Sequence, residues 1–347
     1  MRLHEPGPPT ADRLRADDVP EPVAGPGELV IKLGACAVCR TDLQIASGDL
    51  APRRLPITLG HQAVGRVVEV GPGVADWRAG DRIGAYWLAH TCGHCRFCRS
   101  GRENLCTQAE FTGWDRDGGY AEYMTVEARI AVSVPPALDD VQAAPLLCGG
   151  VIGYRALRRA HVTPGDRVGL FGFGASALCA IQVARHWGCE VYVCTRSPDE
   201  QQRARGLGAV WAGGYDEGCP VRLDAAVTFA PVGWVVTRAL AALERGATVA
   251  VNAIHLDQIP SFDYADLWWE RSIASVANVT RADAREFLEL AEQIPIATSV
   301  EVFGLEDAAA ALAALGAGRV RGSAVLAIDA SCGENAPPRA AAELDRR

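Results

Sequence analysis

Alternating apolar and polar positions dominate the first third of the chain. "ELVIKLG" at 28–34, "AVGRVVEVG" at 63–71 and "DRIGAY" at 81–86 read as β-strands separated by glycine and proline. "GGYAEYMTV" at 118–126 and "RIAVSV" at 129–134 continue that character, so a small β-rich domain with inserted loops is expected. From Asp139 the pattern changes, and "DDVQAAPLLCGGVIGYRALRRA" predicts one long helix over 139–160. Strands and helices then take turns. "DRVGLFGFG" at 166–174 is a strand and turn, "ASALCAIQVARHWG" at 175–188 a helix and "EVYVCT" at 190–195 a second strand. "LDAAVTFA" at 223–230 and "ATVAVN" at 247–252 are later strands, and the whole alternation predicts parallel βαβ units. "TRADAREFLELAEQ" at 280–293 predicts a helix with Thr280 as its N-cap and Asp283 three residues on. A last helix near 305–317 precedes the strand "GSAVLAI" at 322–328, and no internal repeat is visible.

The first of those βα turns carries candidate chemistry. In "GLFGFGASA", Gly172, Gly174 and Ala177 form a G-x-G-x-x-A arrangement that follows a predicted strand and opens a predicted helix. The first glycine makes the tight turn, and the second lets backbone approach a pyrophosphate at the helix N-terminus, with Ala175 and Ser176 beside it. The small third residue lets helix and strand pack. The second strand ends in "CTRS" without the acid that holds the ribose 2′-hydroxyl in NAD sites. Arg196, helped by the hydroxyls of Thr195 and Ser197, is placed to hold a 2′-phosphate instead, which favours NADP(H) over NAD(H).

Composition narrows the class. Of 347 residues, 49% are hydrophobic and 22% charged, enough for two ordinary domains of a globular protein. A net charge of −8 argues against a nucleic-acid surface. No apolar run is long enough to span a membrane, and "MRLHEPGPPTADR" lacks the apolar core of a signal peptide, so a cytoplasmic location is expected. Twelve cysteines are many for a reducing compartment. Four of them, Cys92, Cys95, Cys98 and Cys106, follow a C-x2-C-x2-C-x7-C pattern in one stretch. That spacing predicts a zinc tetrahedron with no open position, which fastens a loop and does no chemistry.

Taken together the chain resembles the zinc-dependent alcohol dehydrogenases of the medium-chain dehydrogenase/reductase superfamily. The likeness runs through residue 328 and rests on "ACAVCRTDLQIASGDL", "TLGHQAVGRVVEVGPGV", the four-cysteine loop, "DGGYAEY", "PLLCGGVIGYRAL" and "GFGASA" in that order. It is strongest toward the bacterial group with "FTGWDRDGGYAEY" and an "IH" segment, here "AIHLDQIP". The resemblance implies an α/β fold, with a GroES-like β-rich catalytic domain at 1–151 and 294–330 that carries the structural zinc loop 91–106. It further implies a Rossmann doubly wound parallel-sheet domain at 152–293, leaving a tail at 331–347 that is expected to be mobile. It places a catalytic zinc on Cys39, His61 and Cys148, two thiolates and an imidazole with no fourth protein ligand nearby in sequence. Asp42 resembles the acid that fixes the tautomer of the histidine. Thr41 resembles a hydroxyl relay next to the substrate oxygen, and Arg40 and Arg321 resemble contacts to the cofactor phosphates. Hydride would pass between nicotinamide C4 and an alcohol or carbonyl bound at the zinc, with two Zn²⁺ per chain. A homodimer or homotetramer acting on a small alcohol or aldehyde is implied.

Three positions depart from the family pattern. Gln44 stands where many relatives carry a relay histidine, and an amide cannot take up a proton near neutral pH. Gln62 replaces a glutamate after the zinc histidine, and Ile152 offers an apolar contact where threonine is common. The changed relay keeps reduction of an imine or conjugated double bond open as a second activity. A non-catalytic zinc-ribbon protein is the reading from another class, which the acidic charge and the separate Cys39, His61 and Cys148 set disfavour. Trp87, Leu88 and Trp114 are candidates for the substrate wall.

Overall fold

A computed structural model of the chain describes residues 1–10, 12–294 and 296–329. The tail expected to be mobile at 331–347 lies outside them. The chain divides into two compact units, one of Met1–Cys148 with the residues from Asn278 onward, the other of Gly149–Ala277.

The first unit is built on a seven-stranded sheet. Its path runs Val132–Ser133, Arg82–Ala85, Ala63–Val70, Glu28–Val38, Ser323–Ala327 and Val300–Gly304, with Tyr123–Glu127 also joined to Glu28–Val38. The central strand Glu28–Val38 is buried almost continuously, because antiparallel partners flank it and side chains cover both its faces. Leu29, Ile31 and Leu33 meet Val67, Ile83, Met124 and Leu326 in one core. Where that strand ends, Cys39 caps the helix Arg40–Ser47, which stops at Gly48 with a left-handed φ of 90°. A small sheet seats Arg2–Leu3 between Leu14–Arg15 and Ile57–Thr58.

The second unit is a six-stranded parallel sheet. Numbered in chain order, Arg167–Phe171, Glu190–Cys194, Trp211–Gly213, Leu223–Thr228, Leu243–Val251 and Ser272–Ser275 stand in the spatial order 3-2-1-4-5-6. That is the doubly wound dinucleotide-binding order. The expected α/β pairing of a GroES-like unit with a Rossmann unit is the fold observed.

Three details differ from the sequence reading. The long helix predicted from Asp139 is broken into Asp140–Ala143, a 3₁₀ turn Ala144–Leu147 and a second helix Gly149–Arg159. Pro145 lacks the N–H that a continuous helix needs, and Cys148 leaves helical geometry at φ −129°, ψ −69°. Trp211–Gly213 and Ser272–Ser275 are too short to stand out by pattern. The chain also returns to the first unit at Asn278 and not at 294. Helix Arg281–Gln293 belongs there because Glu103, 2% exposed, accepts from the Arg281 backbone N–H at 2.8 Å and its Nε at 3.2 Å. Its start is the capping box read from the sequence, with Thr280 Oγ1 accepting from the Asp283 N–H at 3.0 Å.

Candidate active site

Cys39, His61 and Cys148 come from three separate stretches of the first unit, and their ligand atoms all lie within 4.8 Å of one another. Cys39 is placed by the strand-to-helix junction, and Cys148 by the break after Leu147. His61 follows Gly60, whose φ of 95° is open to glycine and strained for other residues. A side chain at Gly60 would also strike the Tyr120 ring, 2.4 Å from an added Cβ.

Asp42 organises the set. Its Oδ1 lies 2.9 Å from His61 Nδ1 and accepts from the Gly60 N–H at 3.2 Å. Its Oδ2 accepts from the Cys39 N–H at 2.8 Å and from the Tyr120 hydroxyl at 3.2 Å. With Nδ1 committed to Asp42, Nε2 of His61 is the nitrogen left for a ligand role. Burial alone would pull the His61 imidazole down, but the Asp42 charge and the Cys39 contact outweigh it and lift it to about 10. The Cys39 thiol is drawn well below its ordinary value by a hydrogen bond from Cys148 and by His61. A divalent cation fits a donor set of this kind, replacing its protons with one shared charge. Among the described residues no fourth cysteine, histidine or carboxylate completes the cluster.

The second cluster is closed. Sγ atoms of Cys92 and Cys98 are 3.8 Å apart, Cys95 and Cys98 3.5 Å, and Cys92 and Cys106 3.6 Å. A tetrahedron with zinc–sulfur bonds of about 2.3 Å has edges of about 3.8 Å, so the four thiols fit one zinc. Backbone N–H groups of Cys95, Cys98 and Cys92 point at Cys92, Cys95 and Cys106 sulfurs, as thiolate acceptors require.

The remaining expected residues fall as follows. Thr41 is buried with its Oγ1 3.9 Å from Cys39 Sγ. Gln44 is half-buried on the same helix, and Arg40 and Arg321 are exposed. Trp87 meets His61 edge-on at 5.0 Å and stacks on Phe111 and Trp114, while Arg53 lies over Trp114 at 3.8 Å. Leu88, expected as a wall residue, is 1% exposed, as buried as His61. Phe111, Arg53 and Tyr120 were not assigned roles by sequence. Only the motif "DGGYAEY" hinted at Tyr120, and nothing in spacing joins it to Asp42, 78 residues away.

In the second unit Gly172 takes a φ of 92°, and an added Cβ would lie 2.9 Å from the Ala230 N atom. A Cβ at Gly174 would meet nothing within 4 Å. Gly174, Ala175 and Ser176 face solvent at the uncapped start of helix Ala175–His186, while Ala177 is fully buried. The open backbone N–H groups there suit a pyrophosphate. Arg196 is exposed. Thr195 is buried and donates its hydroxyl to Glu200, and Ser197 Oγ caps helix Pro198–Gly206.

Residues 25–136 match the alcohol dehydrogenase GroES-like domain family. The probable alcohol dehydrogenase AdhA of Mycobacterium tuberculosis is 46% identical over 333 residues, covering 94% of this chain and 96% of that protein. An alcohol dehydrogenase of Geobacillus stearothermophilus is 34% identical, covering 91% and 96%. Among solved structures, the cobalt- and zinc-bound thermostable alcohol dehydrogenase of Pyrobaculum aerophilum superposes with a TM-score of 0.84 at 26% identity, over 94% of this chain and 98% of that one. The fold and the paired cysteine clusters define a medium-chain dehydrogenase. The chain belongs to the zinc-type medium-chain alcohol dehydrogenase family, and it is an oxidoreductase acting on the alcohol–carbonyl pair. No described helix is long and apolar enough to cross a membrane.

Proposed function

We propose that the chain is an NADP(H)-linked alcohol dehydrogenase or aldehyde reductase with a catalytic zinc on Cys39, His61 and Cys148 and a structural zinc on Cys92, Cys95, Cys98 and Cys106. The observation that carries this reading is the three-ligand set held by Asp42, beside a second set that is closed. Zinc supplies a Lewis acid for an alcohol or carbonyl oxygen, and the nicotinamide supplies or accepts the hydride at C4. Asp42 fixes the His61 ring, and the Thr41 hydroxyl, beside Cys39, holds the proton of the substrate oxygen. Gln44 cannot accept that proton, so the last step uses water or another route.

Arg196, exposed at the end of the second strand, supports 2′-phosphate recognition. The stacked Trp87, Phe111 and Trp114 support an apolar or aromatic aldehyde as substrate. Association with further copies is supported by the edge strand Ser272–Ser275 and the half-exposed Trp268 and Trp269 before it.

NADPH oxidation with benzaldehyde, hexanal and an enal tests the assignment. Alcohol products from all three, with NADPH preferred to NADH, are expected. A saturated aldehyde from the enal would favour reduction of the conjugated double bond, a reading to which the missing proton acceptor at Gln44 lends weight. No turnover with any of the three would defeat both.

A further inference from the structure

Asp42 is fully buried and accepts four hydrogen bonds: from the Cys39 N–H, the Gly60 N–H, His61 Nδ1 and the Tyr120 hydroxyl. A carboxylate has about four lone-pair sites, so the acceptor is saturated. Two of these donors are backbone and one is the ring being oriented. Among the described residues, Tyr120 is therefore the only side chain, apart from His61 itself, that donates to Asp42.

Tyr120 is itself held from several sides. Its backbone N–H donates to the Leu59 carbonyl at 2.9 Å, and the Gly119 and Gly118 N–H groups donate to Gly60 and Thr58 at 2.9 and 2.8 Å. The segment 118–120 is thus zipped onto the residues that lead into His61. The ring, with no measurable exposure, fills the space left by the missing side chain of Gly60. The phenol cannot turn to water, and its hydrogen bond to Asp42 is the one its position allows.

We propose that Tyr120 is a positioning residue for the metal centre: its hydroxyl, donated to Asp42, locks the carboxylate against His61 and so holds Nε2 on the line the metal requires. Removing the hydroxyl while keeping the ring leaves Oδ2 held by the Cys39 N–H alone, so the carboxylate is fixed less firmly against His61. The His61 ring then loses its fixed orientation without losing its packing. The consequence is a metal that leaves faster, with no effect on the four-cysteine site.

The test uses the zinc-loaded full chain and Tyr120→Phe. Zinc transfer to a chromogenic chelator should be about tenfold faster for the catalytic ion, with the slower structural phase unchanged. The His61 Nδ1 proton, followed by NMR, should move upfield as its bond to Asp42 weakens. In the double variant with Asp42→Asn the effect of losing the hydroxyl should vanish, because it acts through the carboxylate. Wild-type release with an unmoved Nδ1 proton would overturn the role, and so would additive effects in the double variant. Should Tyr120→Phe not fold, 3-fluorotyrosine at position 120 keeps the ring and strengthens the donor. Release about two- to threefold slower is then expected, and an unchanged rate overturns the proposal. The inference rests on Cys39, His61 and Cys148 being a zinc site. A wild-type chain with no zinc that Cys148→Ser removes would defeat that reading first, and is distinguished by metal analysis alone.

Discussion

Oδ1 of Asp42 stands 2.9 Å from Nδ1 of His61, and both side chains are sealed from solvent. The pair sets which ring nitrogen is free and where it points. Asp42→Asn keeps the volume and removes the charge. Zinc affinity at the catalytic set is expected to fall roughly ten- to a hundredfold, read by competition with a chelator. Unchanged affinity would mean that the backbone alone orients the ring.

The two clusters should part company on mutation. Wild-type protein is expected to hold about two zinc ions per chain, and Cys148→Ser about one, with a near-normal melting temperature and no turnover. Cys98→Ser should instead cost several kcal/mol of stability, since metal binding and folding of that loop are linked. Atomic emission analysis with thermal unfolding separates the outcomes.

Cofactor choice should hinge on Arg196. Arg196→Ala is expected to raise the KM for NADPH about tenfold or more with little change for NADH. Thr195→Val should leave the ratio nearly unaltered, because the hydroxyl of Thr195 is taken by Glu200. Equal losses for both cofactors in the arginine variant would contradict a 2′-phosphate contact.

Stability of the returning helix depends on Glu103. Its carboxylate, 2% exposed, binds both the backbone and the side chain of Arg281. Glu103→Ala is expected to cost about 2 kcal/mol in urea unfolding through the lost bonds to the Arg281 backbone and side chain, and Thr280→Ala, which removes the cap, about 1 kcal/mol. Equal small losses would show that the helix is held by packing of Phe287 and Leu288.

Much of this was legible in the chain because local spacing encodes local geometry. The four-cysteine loop, the glycine turn at Gly172 to Ala177 and the Thr280 to Asp283 box each lie within a few residues. What escaped was non-local. The break at Cys148 reads as helix by composition, and Pro145, which lacks an N–H, accounts for it. The return at Asn278 brings helix Arg281–Gln293 onto Glu103, 178 residues before Arg281, whereas the boundary implied by the family resemblance put that helix with the parallel sheet. Trp87 is expected from sequence as a wall residue, but its edge contact with His61 could not be read there.

All three residues of the proposed catalytic set lie in the unit of Met1–Cys148, while Gly149–Ala277 is one uninterrupted stretch that both leaves from and returns to that unit. If Arg196 and the turn at Gly172 to Ala177 select the coenzyme as proposed, exchanging this one stretch with a relative's is expected to change coenzyme preference while keeping Cys39, His61 and Cys148. Cys148 is the last residue ahead of the insertion, so a graft cut even one position early would discard a ligand along with the old domain.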